Sequence, residues 1–241
     1  MVDFKEYSQK HIHFFSDSIP KLVEEMLGDT INFSIIDLGC GDGRFFYFLK
    51  KNGYFNRVKK IVGVDLSQER LNRAKKHFPE IQTMIADVCN LSKVKNSTFD
   101  FVISNQVIEH VNNDYKMVRE IKRILKNGGQ AYVSSVMKKK YGFYIYRNNG
   151  VFVLDPTHVR EYKSEMEFDE IFEKNNLKIL HTNKNQVKFS IVDLCVRSMI
   201  KFGMINSDNT DFVNRKIVKW FRNHFKIPIL GYFTIEAVCQ K

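Results

Sequence analysis

The sequence has no apolar run long enough to cross a membrane. Its most apolar segment, residues 190–205, is interrupted by Asp193, Arg197 and Lys201, whereas a spanning helix needs about 20 predominantly apolar residues. The first ten residues, MVDFKEYSQK, are polar where an export signal has an apolar core. We therefore expect a cytoplasmic protein.

Cysteine and proline are scarce, with four residues of each. The cysteines lie far apart and show neither CxxC nor Cys/His ligand spacing, which argues against a disulfide framework and against a cysteine-bound metal. Repeats and low-complexity linkers are also absent, and 44% of the 241 residues are hydrophobic, enough for a full-sized core. We expect a single domain over residues 1–241, with free thiols.

Acidic residues are outnumbered by basic ones, so that the formal net charge is +11. Such a surplus is compatible with a nucleic acid, an anionic membrane surface or a phosphorylated small molecule as partner. The basic residues are dispersed along the chain rather than gathered in one run. Charge alone therefore does not select a partner.

Short apolar segments alternate with helical ones through the first 136 residues. Strands are predicted at 33–38, 60–65, 81–86, 99–104 and 130–136, and helices at 44–52, 67–77 and 113–125. This alternation predicts an α/β fold with a parallel sheet and helices on both faces. After these elements, residues 137–160 look like a loop and residues 164–175 like a helix. Two later strands are predicted at 177–182 and 232–240. Between them lies a helical cap, predicted at 187–205 and 212–225.

The first strand runs into a glycine loop, IIDLGCGDGRF, at residues 35–45. Glycines allow a ligand to approach the backbone closely, and the helix that follows offers free N–H groups. Arg44 stands where a dinucleotide-binding loop has its third glycine, and no Gly-Lys-Ser/Thr follows, so neither NAD nor a P-loop nucleotide is indicated. Asp65 ends the second strand 22 residues after Gly43, near the usual offset of an acid that binds ribose hydroxyls.

Five ordered motifs resemble those of the class I S-adenosylmethionine-dependent methyltransferases. They are the loop 37–43 (DLGCGDG), Val64-Asp65, Ala86-Asp87-Val88, residues 99–104 (FDFVIS) and residues 124–129 (ILKNGG). The resemblance covers residues 33–136 and is looser elsewhere. It implies a Rossmann-like sheet of seven mostly parallel strands with the last strand antiparallel, and an enzyme that converts S-adenosylmethionine to S-adenosylhomocysteine.

The resemblance also implies roles for the cofactor-binding residues. Asp37 is expected to bind the ammonium group and the loop amides the carboxylate of the methionine end. Asp65 is expected to bind both ribose hydroxyls and Asp87 the adenine amino group. The Val88 amide is expected to contact the adenine ring, and the backbone at Asn105 to close over the methionine end. The cofactor-binding set is Asp37, Gly39, Cys40, Gly41, Gly43, Asp65, Leu66, Asp87, Val88 and Asn105.

Three places offer a general base for the acceptor. His158 lies in a polar loop, DPTHVREY, on the expected substrate side, and we predict that it is the base, with Arg160 and Tyr162 contacting the substrate. His110 is the second catalytic candidate, although a Glu-His pair at this position is more often structural or on the cofactor side. His11, which we also expect to contact the substrate, lies on a helical lead-in, residues 1–30, that is expected to cover the pocket. A metal site of Glu109, His110 and His158 has few ligands, and we expect no metal.

The acceptor is the least determined part of the prediction. No NPPY or DPPY motif, no cysteine placed as an RNA-cytosine nucleophile and no RNA-binding module is present, so nucleic acid is not favoured. We predict transfer to an oxygen, less readily a nitrogen, of a small polar molecule, anionic or sugar-containing, such as a surface-glycan precursor. Residues 137–163 and 184–227 would shape its site. The alternatives are an enzyme acting on RNA or protein and a non-catalytic cofactor-binding protein.

The late cap combines basic and aromatic residues, a pattern compatible with peripheral contact to an anionic membrane. A cap packed on the edge of the sheet explains the same pattern more simply, and we favour it. The sequence does not indicate an oligomeric state.

Overall fold

A seven-stranded sheet forms the framework of the protein. The structure, a computed structural model, describes residues 19–144, 146–148, 150–202, 204–205 and 215–241. The strands lie in the order β3-β2-β1-β4-β5-β9-β8. Their bounds are β1 Phe33–Leu38, β2 Val58–Asp65, β3 Gln82–Ile85, β4 Phe99–Asn105, β5 Leu125–Lys138, β8 Lys178–Ser190 and β9 Lys226–Gln240.

The first five strands run parallel, and β9 runs antiparallel between β5 and β8. The predicted α/β fold and its antiparallel last strand are therefore confirmed. Strand order reverses between β1 and β4, so a crevice opens at the carboxyl ends of these two strands. Both the glycine loop and the segment after Asn105 leave the sheet there.

Helices cover both faces of this sheet. They are α1 Lys21–Leu27, α2 Arg44–Lys51, α3 Gln68–His77, α4 Asp114–Ile124, α5 Glu165–Lys174, α6 Ile191–Lys201 and α7 Lys216–His224. Ser67 caps α3 as predicted, with its side chain accepting from the Arg70 amide. Asn113 and Ser164 cap α4 and α5 in the same way, which explains why these helices begin where they do.

The core consists of two apolar layers, one on each face of the sheet. Ile36 and Leu38 of β1 face the layer that includes α4 and α5, and Phe33 and Ile35 face the layer of α1 and α2. All six residues of β1 are buried, as expected for a central parallel strand. The buried strand holds the glycine loop in a fixed position at the edge of the sheet.

The structure corrects the prediction in the second half of the chain. Residues 187–190, predicted as helix, instead continue strand β8. They pair with the first residues of β9, which precede the part of β9 that pairs with β5. The predicted loop 137–160 contains a small hairpin, β6 Tyr146–Asn148 and β7 Val151–Val153. His11 and most of the predicted lead-in helix lie outside the described residues. No helix of the described chain is both long and apolar enough to span a membrane.

Candidate active site

The glycine loop turns sharply between β1 and α2 and packs against the segment that follows β4. Gly39 adopts φ +76°, and a β carbon there would lie 2.4 Å from a methyl carbon of Val107. Gly41 adopts φ +52° beneath the guanidinium of Arg70. Only glycine fits at position 39, since both the dihedral and the contact exclude a side chain. This contact places the segment after β4 directly beside the loop.

Several N–H groups of the loop already have partners within the protein. Gly39 and Cys40 donate to the carbonyl of Val64 at 2.7 and 2.9 Å, and Gly43 donates to the carbonyl of Cys40. The Gly41 amide donates to Asp65 Oδ2 at 2.9 Å. These bonds hold the loop in shape. A direct role for these amides in binding the cofactor carboxylate stays a prediction.

Two buried carboxylates lie under the loop. Asp37 and Asp65 are each 5% exposed, and no hydrogen bond among the described residues reaches the Asp37 carboxylate. Burial, with the negative charge of Asp65 adding to it, raises the pKa of Asp37 to about 8. Asp65 differs in being hydrogen-bonded, because its second oxygen accepts from the Ser67 amide. A buried carboxylate without a partner fits the ammonium group that S-adenosylmethionine carries.

The other predicted cofactor residues lie along the same edge. Leu66 is 57% exposed after β2, and Asp87 is exposed with Oδ1 accepting from the Cys89 amide. Val88 is buried behind it. Asn105 ends β4, and its side-chain oxygen accepts from the Ser134 hydroxyl at 2.7 Å. The structure therefore brings the predicted set to one crevice, while the contacts of each residue with cofactor stay predictions.

Two histidines that are distant in sequence meet beside this crevice. The rings of His110 and His158 lie edge to face, with 4.8 Å between their centroids. The carbonyl of Glu109 accepts from the amides of Val159 and Arg160, which fixes the second histidine's loop to the turn after β4. Glu109 and these two histidines form the group that we call the histidine cluster.

Hydrogen bonds determine which ring nitrogen of each histidine carries its proton. The Thr157 hydroxyl donates to Asp155, so it can only accept from His110, whose Nδ1 lies 2.9 Å away. His158 Nδ1 lies 2.9 Å from a Glu161 carboxylate oxygen, to which it donates. Whenever either ring is neutral, its unprotonated nitrogen is therefore Nε2, which can bind a proton or a metal ion.

Burial has opposite effects on the acid and the base of this cluster. It raises the pKa of Glu109 to about 7, and, together with the charge of His158, it lowers that of His110 to about 4. Glu109 is fully buried, with one oxygen accepting from Ser135 and the other without a partner among the described residues. At neutral pH, His110 is uncharged and has a free lone pair.

Arg160 and Tyr162, predicted to contact the substrate, both make hydrogen bonds within the protein. The Arg160 guanidinium donates to the carbonyls of residues 108, 111 and 112 and pairs with Asp114. Tyr162 is 2% exposed and donates to the same aspartate. Both side chains hold the turn after β4 in place, and their contacts with a substrate stay predictions.

Sequence reasoning missed the three residues that orient the histidines. Asp155, Thr157 and Glu161 lie within three positions of His158 in DPTHVREY. Carboxylates three residues before and after His158 are a pattern that could have indicated this role, because such side chains can fix the tautomer of the ring. The bond between Thr157 and His110 joins residues 47 positions apart and left no local pattern.

Residues 36–133 match a family described as the methyltransferase domain. A ubiquinone biosynthesis O-methyltransferase of Coxiella burnetii is 27% identical over 133 residues, 53% of this chain and 55% of that protein. The chain thus spans about half the length of the curated relatives it matches.

Two solved structures share the fold over most of both chains. An S-adenosylmethionine dependent methyltransferase from Mesorhizobium loti has a TM-score of 0.57 at 17% identity, over 91% of this chain and 96% of that one. A SAM-dependent methyltransferase from Methanosarcina mazei has a TM-score of 0.61 at 14% identity, over 93% and 98%. These two structures show the same fold, while S-adenosylmethionine as cofactor rests on the methyltransferase-domain match of residues 36–133, together with the ordered motifs and the crevice between β1 and β4. Residues 36–133 are thus similar to a methyltransferase domain, and the chain shares the fold of these two S-adenosylmethionine-dependent methyltransferases.

Proposed function

We propose that this protein transfers a methyl group from S-adenosylmethionine to an oxygen of a small polar molecule. The observation that carries the proposal is the histidine cluster, buried directly beyond Val107, which itself packs on Gly39 of the cofactor loop. A hydroxyl acceptor needs a base at this place, and two imidazole lone pairs lie there. A relative named as an O-methyltransferase supports oxygen as the methylated atom.

The cofactor supplies an electrophilic methyl group. Transfer forms a carbon–oxygen bond and breaks the carbon–sulfur bond, whose electrons stay on sulfur, while the acceptor's hydroxyl proton passes to a base. We assign that base to His158, because Glu161 holds its Nδ1–H and leaves Nε2 free to take the proton. His110, held in the same tautomer by Thr157, is the second candidate.

The acceptor's class rests on the sequence and on the cluster's surroundings. The net charge of +11 suits a phosphate- or carboxylate-bearing acceptor, including a sugar precursor, and the two segments 137–163 and 184–227 would enclose it. We take residues 1–241 as one domain. Four free thiols among the described residues support a reducing compartment, the cytoplasm.

A kinetic comparison of histidine variants tests the proposal. Formation of S-adenosylhomocysteine is measured with a panel of hydroxylated sugars, phenols and their phosphates. We expect His158→Ala to lower kcat by about 10²- to 10⁴-fold with unchanged S-adenosylhomocysteine affinity. His181→Ala, at an exposed position on β8, is the matched control and should turn over normally. Near-normal turnover of His158→Ala would remove the base assignment.

Two alternatives give different results. An enzyme that grips RNA should bind it with an affinity that falls steeply with salt, whereas a small-molecule enzyme should not. A non-catalytic cofactor-binding protein should bind S-adenosylhomocysteine but methylate nothing in the panel.

A further inference from the structure

The histidine cluster has the composition and spacing of a metal site. Glu109, His110 and His158 each offer one ligand atom, and these three atoms lie within 4.8 Å of one another. A four-coordinate site with bonds near 2.1 Å separates its ligand atoms by about 3.4 Å. The ligand atoms would therefore need to approach by no more than about 1.4 Å, which small side-chain rotations can supply.

A second observation points to a ligand at the same place. Glu109 is fully buried, and its Oε1 atom has no hydrogen-bond partner among the described residues. A buried carboxylate oxygen without a partner is costly unless something binds it. In their neutral form the neighbouring imidazoles cannot donate a hydrogen bond to this oxygen through Nε2, because their protons are on Nδ1. A cation would satisfy all three groups at once.

The hydrogen bonds that the two imidazoles make through Nδ1 are also those of metal-binding histidines. A histidine that binds a metal through one nitrogen commonly donates its other N–H to an oxygen, often of a carboxylate. His158 donates to Glu161 at 2.9 Å, and His110 donates to Thr157, which in turn donates to Asp155. These contacts fix the direction of both Nε2 atoms before any ion binds.

We propose that Glu109, His110 and His158 bind a divalent transition-metal cation of the Zn²⁺, Co²⁺ or Fe²⁺ type. Two imidazoles and one carboxylate favour such ions over Mg²⁺ or Ca²⁺, which prefer oxygen ligands. Three protein ligands leave at least one coordination position open. If the proposed O-methyl transfer holds, that position takes the acceptor's hydroxyl, and the cation lowers its pKa so that the proton is lost to water. The base role assigned to His158 above therefore applies to the metal-free protein, and in the metal-bound protein His158 is a ligand.

Cobalt binding tests the site without relying on activity. The full-length protein is stripped with a chelator and titrated with Co²⁺, whose visible absorption reports coordination, and Zn²⁺ is then added in competition. We expect one Co²⁺ per chain, displaced by Zn²⁺. His158→Ala, His110→Ala and Glu109→Gln should each weaken binding by more than about tenfold, and Glu161→Gln by about 10- to 100-fold. His181→Ala serves as the control and should bind like the wild type.

The outcomes separate this inference from the proposed function. Absence of Co²⁺ binding by the wild type, or binding that all three cluster variants retain, overturns the metal site even if methyl transfer is found. Metal binding without methyl transfer overturns the function and leaves the site. S-adenosylhomocysteine affinity, measured in parallel, shows that each variant is folded, and a variant that loses it is replaced by the conservative His158→Gln or His110→Gln.

Discussion

Replacement of Asp37 by Asn removes the buried ionisable group under the cofactor loop. The carboxylate is 5% exposed and has a pKa of about 8, raised by burial and by Asp65. In the unfolded chain the same group titrates near 3.8. The native protein without cofactor therefore holds a proton on Asp37 at pH values where the unfolded chain has lost it.

The sign and size of the effect follow from this difference. Because the folded pKa is the higher one, the contribution of Asp37 to stability is complete below about pH 3.8 and is lost as pH rises through about 8. Between pH 5 and pH 7 the loss amounts to about 2.7 kcal/mol, at 1.36 kcal/mol per pH unit. Asn does not titrate. The free energy of unfolding of the variant, relative to that of the wild type, should therefore rise by up to about this amount between pH 5 and pH 7.

Urea unfolding of the cofactor-free proteins at both pH values measures this gain. Asp29→Asn, an exposed acid near the first strand, is the control and should show no such trend. The same substitution should weaken S-adenosylhomocysteine binding by about 10- to 100-fold, the value of a charge-assisted hydrogen bond. Wild-type binding at pH 7 should release a proton, seen as a buffer-dependent enthalpy. A pH-independent stability difference, or full affinity in the variant, would refute the reasoning.

Two further substitutions test the packing around the site. Gly39→Ala should lower stability by about 1–3 kcal/mol and weaken S-adenosylhomocysteine binding, because its methyl group overlaps Val107 at φ +76°; adding Val107→Ala should recover part of the loss in thermal unfolding. Arg160→Ala should lower the free energy of unfolding by about 2–4 kcal/mol, because three carbonyl groups lose a charged donor. A rise in KM at unchanged stability would instead restore Arg160 as a substrate anchor.

The cofactor half of the protein could be predicted because its signals are local. A buried apolar strand, a glycine loop and an acid about 20 residues later lie in one stretch of sequence, and each has a direct physical reason. Gly39 and Asp65 consequently lie where the pattern placed them, at the carboxyl ends of β1 and β2. The parallel arrangement of the first five strands follows from the same alternation of strands and helices.

The other half depends on contacts between distant residues. Residues 187–190 alternate apolar and polar side chains over only four positions, too few to distinguish a strand from the predicted helix, and they form a strand because β9 pairs with them. Arg160 resembles a substrate anchor in sequence, but its long side chain reaches carbonyls about 50 positions away. The pairing of His110 with His158 likewise arises only when the carbonyl of Glu109 binds the 155–160 loop. Long-range hydrogen bonds of this kind have no periodic signature in the sequence.

The fate of the methyl group tests the proposed function most directly. Purified protein is incubated with S-adenosylmethionine labelled in its methyl group and with an extract of the cells that produce it, and the products are separated into low-mass, RNA and protein fractions. We predict that the label appears in the low-mass fraction, in a compound whose methyl group is bound to oxygen and survives alkali as an ether. Label in the RNA or protein fraction, or on nitrogen or carbon of the small product, would contradict the proposal.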